Sequence, residues 1–197
     1  MPDDSKSVST LGTATGHHRS AKPVQSLSLC LLLATMWAVT SCGSEEIEPF
    51  SRESACGLPA HVFEEVVGTS RFTVTEKGDA RLPLDPAAGA ALRCEVYTEG
   101  ENLAVDVTLR FRSKDVWEST INQISESGHR QASTAGPIGV DVDATDDGHF
   151  DGWWTCESWS ASGVPVAYVT GDASGADVDN VAELVGSIAR AQGCLGE

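Results

Sequence analysis

The chain lacks most of the short motifs that announce a chemistry. It has no C-x-x-C pair, no G-x-S-x-G elbow, no H-E-x-x-H helix, no phosphate-cradling glycine loop and no dinucleotide fingerprint. Each absence removes a class in turn: zinc ribbons and dithiol redox proteins, elbow-type serine hydrolases, zinc proteases, P-loop nucleotide hydrolases and Rossmann dehydrogenases. Basic residues are also few, with 13 Lys and Arg against 29 Asp and Glu, a formal net charge of −16. Such an excess repels phosphate backbones and anionic headgroups, so it argues against nucleic acid as a partner and favours cations or basic surfaces. No apolar run reaches the roughly 20 residues of a permanent spanning helix.

What is present begins with Ser26 to Thr40, SLSLCLLLATMWAVT, an uncharged apolar run that follows a polar stretch carrying Lys6, Arg19 and Lys22. It is too short to span a bilayer and reads as the core of a secretory signal. It runs into Val39-Thr40-Ser41-Cys42, which resembles the lipobox of bacterial lipoproteins, where small residues precede a cysteine. That resemblance implies cleavage after residue 41, acylation of Cys42, and a protein held by its acyl chains at the outer face of the cytoplasmic membrane. Ordinary secretory cleavage near Ser41 with an unmodified cysteine is the alternative. No twin-arginine pair precedes the core, so general secretion is the simpler route.

Three segments follow: a lipoprotein signal peptide over 1–41, a charged aperiodic tether over 42–54, and one domain over 55–197. Without its first 41 residues the chain keeps 10 basic and 27 acidic residues, a formal charge of 10 − 27 = −17. Of six cysteines, Cys30 leaves with the signal and Cys42 is the anchor, so Cys56, Cys94, Cys156 and Cys194 remain. An even number outside the cytoplasm predicts two disulfides. Three connectivities are open, and Cys56–Cys94 with Cys156–Cys194 is favoured because each pairing ties a helix end to a strand within one half.

An ungapped internal match aligns Cys94–Thr108 (CEVYTEGENLAVDVT) with Cys156–Thr170 (CESWSASGVPVAYVT). Each copy reads as a hairpin followed by Ser, Asp-Val and an amphipathic helix closed by glycine: Ser113 to Gly128, with Val116, Trp117, Ile121 and Ile124, and Ser174 to Gly193, with Val178, Val181, Val185 and Ile188. Ser174 with Asp177 makes a capping-box pattern. One further strand precedes each hairpin, Arg71–Glu76 and Ile138–Asp143, and a short helix over Pro59–Val67 opens the first half, while Leu82–Leu92 reads as a loop. The expected fold is α+β: an antiparallel sheet of about six strands flanked by helices, built from pseudo-duplicated α-β-β-β units plus a C-terminal helix.

The stretch DVDATDDGHFDG (141–152) falls where the second half must reverse, and Asp147-Gly148 is a strong hairpin signal. As an EF-hand loop counted from Asp143 it fails, because Trp154 stands at the position that needs a bidentate Glu. A weaker calcium site using Asp143, Asp147 and Asp151 is the alternative to a plain acidic turn. The neighbouring WWTCESW offers Trp153, Trp154 and Trp159 either as core beside a disulfide or as a ligand platform. Past the signal, His61, His129 and His149 lie in no recognisable relay.

The lipobox, CGLPAHVFEEVVG, RCEVY and the final amphipathic helix together resemble the small actinobacterial cell-envelope lipoproteins grouped as a domain of unknown function. That resemblance implies an antiparallel sheet flanked by helices, in the style of some receptor-kinase sensor domains, and brings no catalytic residue with it. The leading expectation is a monomeric, non-enzymatic module without a cofactor that binds an envelope protein, a lipid or a cell-wall fragment. A wall hydrolase using carboxylates such as Asp147, Asp151 or Glu157, and a calcium-responsive module, are the alternatives.

Overall fold

Residues 53–77, 81–143 and 148–194 are described by a computed structural model, and all of them belong to the compact unit Gly43–Glu197. A two-stranded ribbon, β1 (Ser54–Ala55) and β2 (Leu58–Pro59), leads into α1 (His61–Val67). Three strands follow, β3 (Thr73–Lys77), β4 (Ala91–Thr98) and β5 (Asn102–Arg112), and then α2 (Lys114–Glu126). The rest is β6 (His129–Ser133), β7 (Gly136–Asp143), β8 (His149–Thr155), β9 (Val164–Asp172) and α3 (Val178–Gln192). The seven strands from β3 onward form one sheet in the order β3-β4-β5-β9-β8-β7-β6, antiparallel throughout. The fold is α+β. Two meanders, β3-β4-β5 and β6-β7-β8-β9, meet where β5 pairs with β9, each preceded by a helix, and α3 follows the second.

Two local expectations change. The sheet gains β6, whose sequence HRQAS has no apolar alternation to reveal it. The second hairpin also shifts upstream: β9 pairs with β8, from Thr155↔Val166 to His149↔Asp172, while residues 156–163 form a loop closed by a Ser160↔Gly163 bridge. The reason is burial. Phe150 and Trp154 alternate onto the core face and are fully buried, whereas Ser158, Ser160, Ala161 and Ser162 offer nothing comparable to bury.

Register shows that the helices lie on opposite faces. Val140 pairs with Gly152, and Gly139 with Trp153, and successive strand residues point to opposite sides. A Cβ on Gly152 would sit 2.6 Å from Val185 Cγ2 of α3, and one on Gly139 would sit 2.7 Å from Ile124 Cα of α2. So α3 presses on one face and α2 on the other. The α3 face, where α1 also packs through Val62, Phe63, Val66 and Val67, holds the main core with Val96, Val107, Leu109, Val169, Phe150 and Trp154. On its own face α2 packs over β7, β8 and β9, and no described helix covers β3-β4-β5 there.

Both expected disulfides are present, Cys56–Cys94 joining the ribbon to β4 and Cys156–Cys194 joining the loop after β8 to the end of α3, each across 38 positions. In the chain-entropy account each is worth about 4 kcal/mol. The α3 cap is one turn later than the sequence suggests. Asp177 accepts from the Asn180 amide at 2.8 Å, and Ser174 instead donates to the Val67 carbonyl at 3.2 Å, tying the α3 entrance to the end of α1.

Candidate functional site on the open sheet face

The strands that are half bare carry polar residues at every second position, which is what a sheet face turned to solvent requires. Reading across the register, one row of the α2 face runs Thr75, Glu95, Asp106, Thr170, Asp151, Asp141, and the next runs Lys77, Arg93, Thr108, Tyr168, Trp153, Gly139. Carboxylates therefore line one row, and in the next row the cations Lys77 and Arg93 stand beside them on β3 and β4.

On that half the charges form a closed network. Lys77 Nζ lies 2.6 Å from Glu95 Oε1, Arg93 Nη2 lies 3.1 Å from the same oxygen, and the Tyr97 hydroxyl donates to Glu95 Oε2 at 2.6 Å. Arg93 also forks onto Asp106, with Nη2 at 2.8 Å from Oδ2 and Nε at 3.3 Å from Oδ1. The Glu95 side chain is 3% exposed although the surrounding face is open. Hydrogen bonds from Lys77 and then Tyr97 hold its carboxyl below the usual range, and the same bond raises the Tyr97 phenol. The Asp106 carboxylate raises Arg93 further. Thr73, Thr75, Lys77, Glu95, Tyr97 and Glu101 line a groove of about 420 Å³ here. Chemically it is a preorganised donor and acceptor surface: Glu95 is kept ionised with both oxygens engaged, the opposite of what a proton-donating carboxyl needs.

The acidic stretch lies on the same face at the other side of the sheet, mostly as strand. Asp141–Asp143 belong to β7 and His149–Gly152 to β8, with Asp141 opposite Asp151 and Asp143 opposite His149. Residues 144–147, with Asp147 among them, lie outside the described residues. His149 Nδ1 is 2.9 Å from Asp172 Oδ1 and its Nε2 is 3.6 Å from Asp151 Oδ2. The bond to Asp172 raises the imidazole pKa above its ordinary value, helped by the charge of Asp151. Asp141, Val142, Asp143, His149 and Asp151 border a shallow recess of about 370 Å³. Of the three calcium candidates, Asp143 and Asp151 flank His149 and Asp147 lies outside the described residues. Among the described residues no group of three His, Cys, Asp or Glu is arranged to hold a metal.

The tryptophans separate. Trp154 is fully buried on the α3 face with Nε1 donating to the Ala135 carbonyl at 3.1 Å, so it is core and no part of an exposed platform. Trp153 points to the α2 face and is half-buried, in the register row of Tyr168, whose hydroxyl lies 3.0 Å from Thr120 Oγ1 of α2. Trp159, 48% exposed on the loop after β8, meets Trp117 of α2 edge to face, centroids 5.9 Å apart at 63°. Trp117 reads from sequence only as a helix core position.

Comparison with protein-family models, curated proteins and solved structures finds no match for this chain.

Glu157 is exposed on the loop beside Trp159, His61 opens α1 and His129 opens β6, and none of them joins the networks described. Cys42 lies outside the described residues. No member of the Lys77, Arg93, Glu95, Tyr97, Asp106 network is singled out from sequence, although the alternation of Arg93, Glu95 and Tyr97 with Cys94 and Val96 is its signal there. No helix among the described residues is long and apolar enough to cross a membrane. Two disulfides are the mark of an oxidising compartment.

Proposed function

We propose that this chain is an extracytoplasmic lipoprotein, anchored through Cys42, that binds an envelope component on the open half of its sheet without transforming it. The candidate occupants are a cell-wall fragment, a lipid headgroup or an envelope protein. The observation that carries this reading is the Glu95 network, a buried carboxylate locked by Lys77, Arg93 and Tyr97 on a face that is otherwise exposed. Fixed charges of both signs beside a groove suit recognition of a polar ligand, since their orientation is set before the ligand arrives. The signal-like start, the charged tether and the disulfides support display outside the cytoplasm. Hydrolysis through a carboxyl acid would instead call for a carboxyl held protonated near neutrality, and Glu95 is pushed the other way.

Native mass spectrometry of the mature protein, extracted gently from its own membrane, tests the reading. The expected spectrum carries acyl mass on Cys42 and a retained ligand that Glu95→Gln and Tyr97→Ala lose. An unacylated chain, or a retained mass indifferent to both substitutions, would overturn it.

A further inference from the structure

Beyond the groove, the same sheet face holds a second constellation at the opposite end of β5. Arg110 and Arg112 sit two apart on β5, in phase with Thr108, and so project to the side on which α2 lies. α2 starts two residues after Arg112 and carries Trp117 in its first turn. The loop bearing Trp159 abuts the same strand end, for a Cβ on Gly163 would fall 2.0 Å from the Arg112 carbonyl oxygen. Arg110 and Arg112 on β5, Trp117 on α2 and Trp159 on the 156–163 loop thus all stand on elements that meet at this end of β5, and the two indoles touch.

Their polar atoms are what make the place unusual. Nε of Arg110, Nε of Arg112 and Nε1 of Trp117 are buried and have no hydrogen-bond partner among the described residues. Buried donors in native proteins are almost always paired, and an orphan calls for a reason. The chain has 29 acidic residues, yet among the described residues neither arginine is paired with a carboxylate. Arg93, on the neighbouring strand, engages two. An arginine fork matches a carboxylate or phosphate in two parallel bonds. Beside these forks, Trp159 exposes a flat apolar face held at a fixed angle by Trp117, a surface suited to the C–H face of a pyranose ring.

We propose that Arg110, Arg112, Trp117 and Trp159 form a binding site for an anionic sugar: a pyranose carrying a carboxylate or a phosphate, its anion on the arginines and its ring against Trp159. The site is separate from the β3-β4-β5 groove and does not depend on it. The negative field of the whole chain opposes such a ligand at long range. At physiological ionic strength that field is screened beyond about 8 Å, so the local forks decide.

Isothermal titration of the full-length protein at physiological salt tests this, using trigalacturonic acid for the carboxylate, glucose 6-phosphate for the phosphate and maltotriose as the neutral ring. Saturable binding of either anionic probe, at least about tenfold tighter than maltotriose, is expected, and the probe that binds identifies the anion. Arg110→Gln, Arg112→Gln and Trp159→Ala should each weaken it about tenfold or more, Arg112→Lys should recover part of the loss, and Leu103→Ala, exposed elsewhere, should change nothing. Thermal melting of each variant separates lost binding from lost folding. Equal binding of maltotriose, or no heat with either anionic probe, would overturn the proposal. Binding that survives both Arg→Gln changes but vanishes in Tyr97→Ala would also overturn it, while leaving the groove as the binding site.

Discussion

Glu95 shows at the scale of one residue how a charge can be buried on an open sheet. Its two oxygens are shared among Lys77, Arg93 and Tyr97, so the cost of desolvation is met by charge-assisted hydrogen bonds rather than by water. Because its folded pKa lies below the ordinary carboxylate value, its stabilising contribution is present above the unfolded pKa and is lost as pH falls through the folded one. Acid melting of the wild type should therefore steepen below about pH 4.3, and Glu95→Gln should flatten that limb. The same substitution weakens the hydrogen bond to the carboxylate that raises Tyr97 and removes its charge. An ultraviolet titration should show the Tyr97 phenol ionise at lower pH in Glu95→Gln than in the wild type. His149 runs the opposite way: its raised pKa stabilises the fold below an unfolded value of about 6.5, and that gain is lost as pH rises through the higher folded value. His149→Gln should remove this pH dependence near neutrality, read as melting temperature against pH.

At the scale of elements, the close approach of helices to both faces rests on small residues. Gly139→Ala would set its methyl against the Ile124 backbone, which cannot swing aside, and should cost about 1–3 kcal/mol in denaturant unfolding. Trp154→Ala empties a fully buried site and should cost about 3–5 kcal/mol. Much of this architecture is legible in the sequence. Val181, Val185 and Ile188 fall at helical steps because α3 buries one face, and β4 and β5 alternate because one side of them is core. What was not legible depended on pairing. β6 carries no apolar alternation, since it is an edge strand with little to bury. The repeat of Cys, Glu, Val and Thr at matching offsets places the second hairpin at Cys156, yet the large buried side chains Phe150 and Trp154 lie upstream and decide the strand. The Glu95 network needed the β3-β4-β5 register before its members could be placed side by side.

At the largest scale the described residues form a sheet with two unlike sides, one filled by α1 and α3 and the other covered, among the described helices, by α2 over β7-β8-β9. Its acidic surface, its two disulfides and its half-open face suit a binding module working in an oxidising compartment. Reduction of both disulfides should lower stability well beyond any surface substitution, by about 2–5 kcal/mol for each bond, visible as a lower denaturant midpoint in reductant. The central claim is that the open half of the sheet is where an envelope component binds. Hydrogen exchange of backbone amides, followed by mass spectrometry with and without solubilised material from the protein's own envelope, tests it most directly. The account predicts new protection in Thr73–Lys77 and Ala91–Thr98 that Glu95→Gln and Tyr97→Ala abolish. Protection confined to the α1 and α3 side, or unchanged by those substitutions, would contradict it.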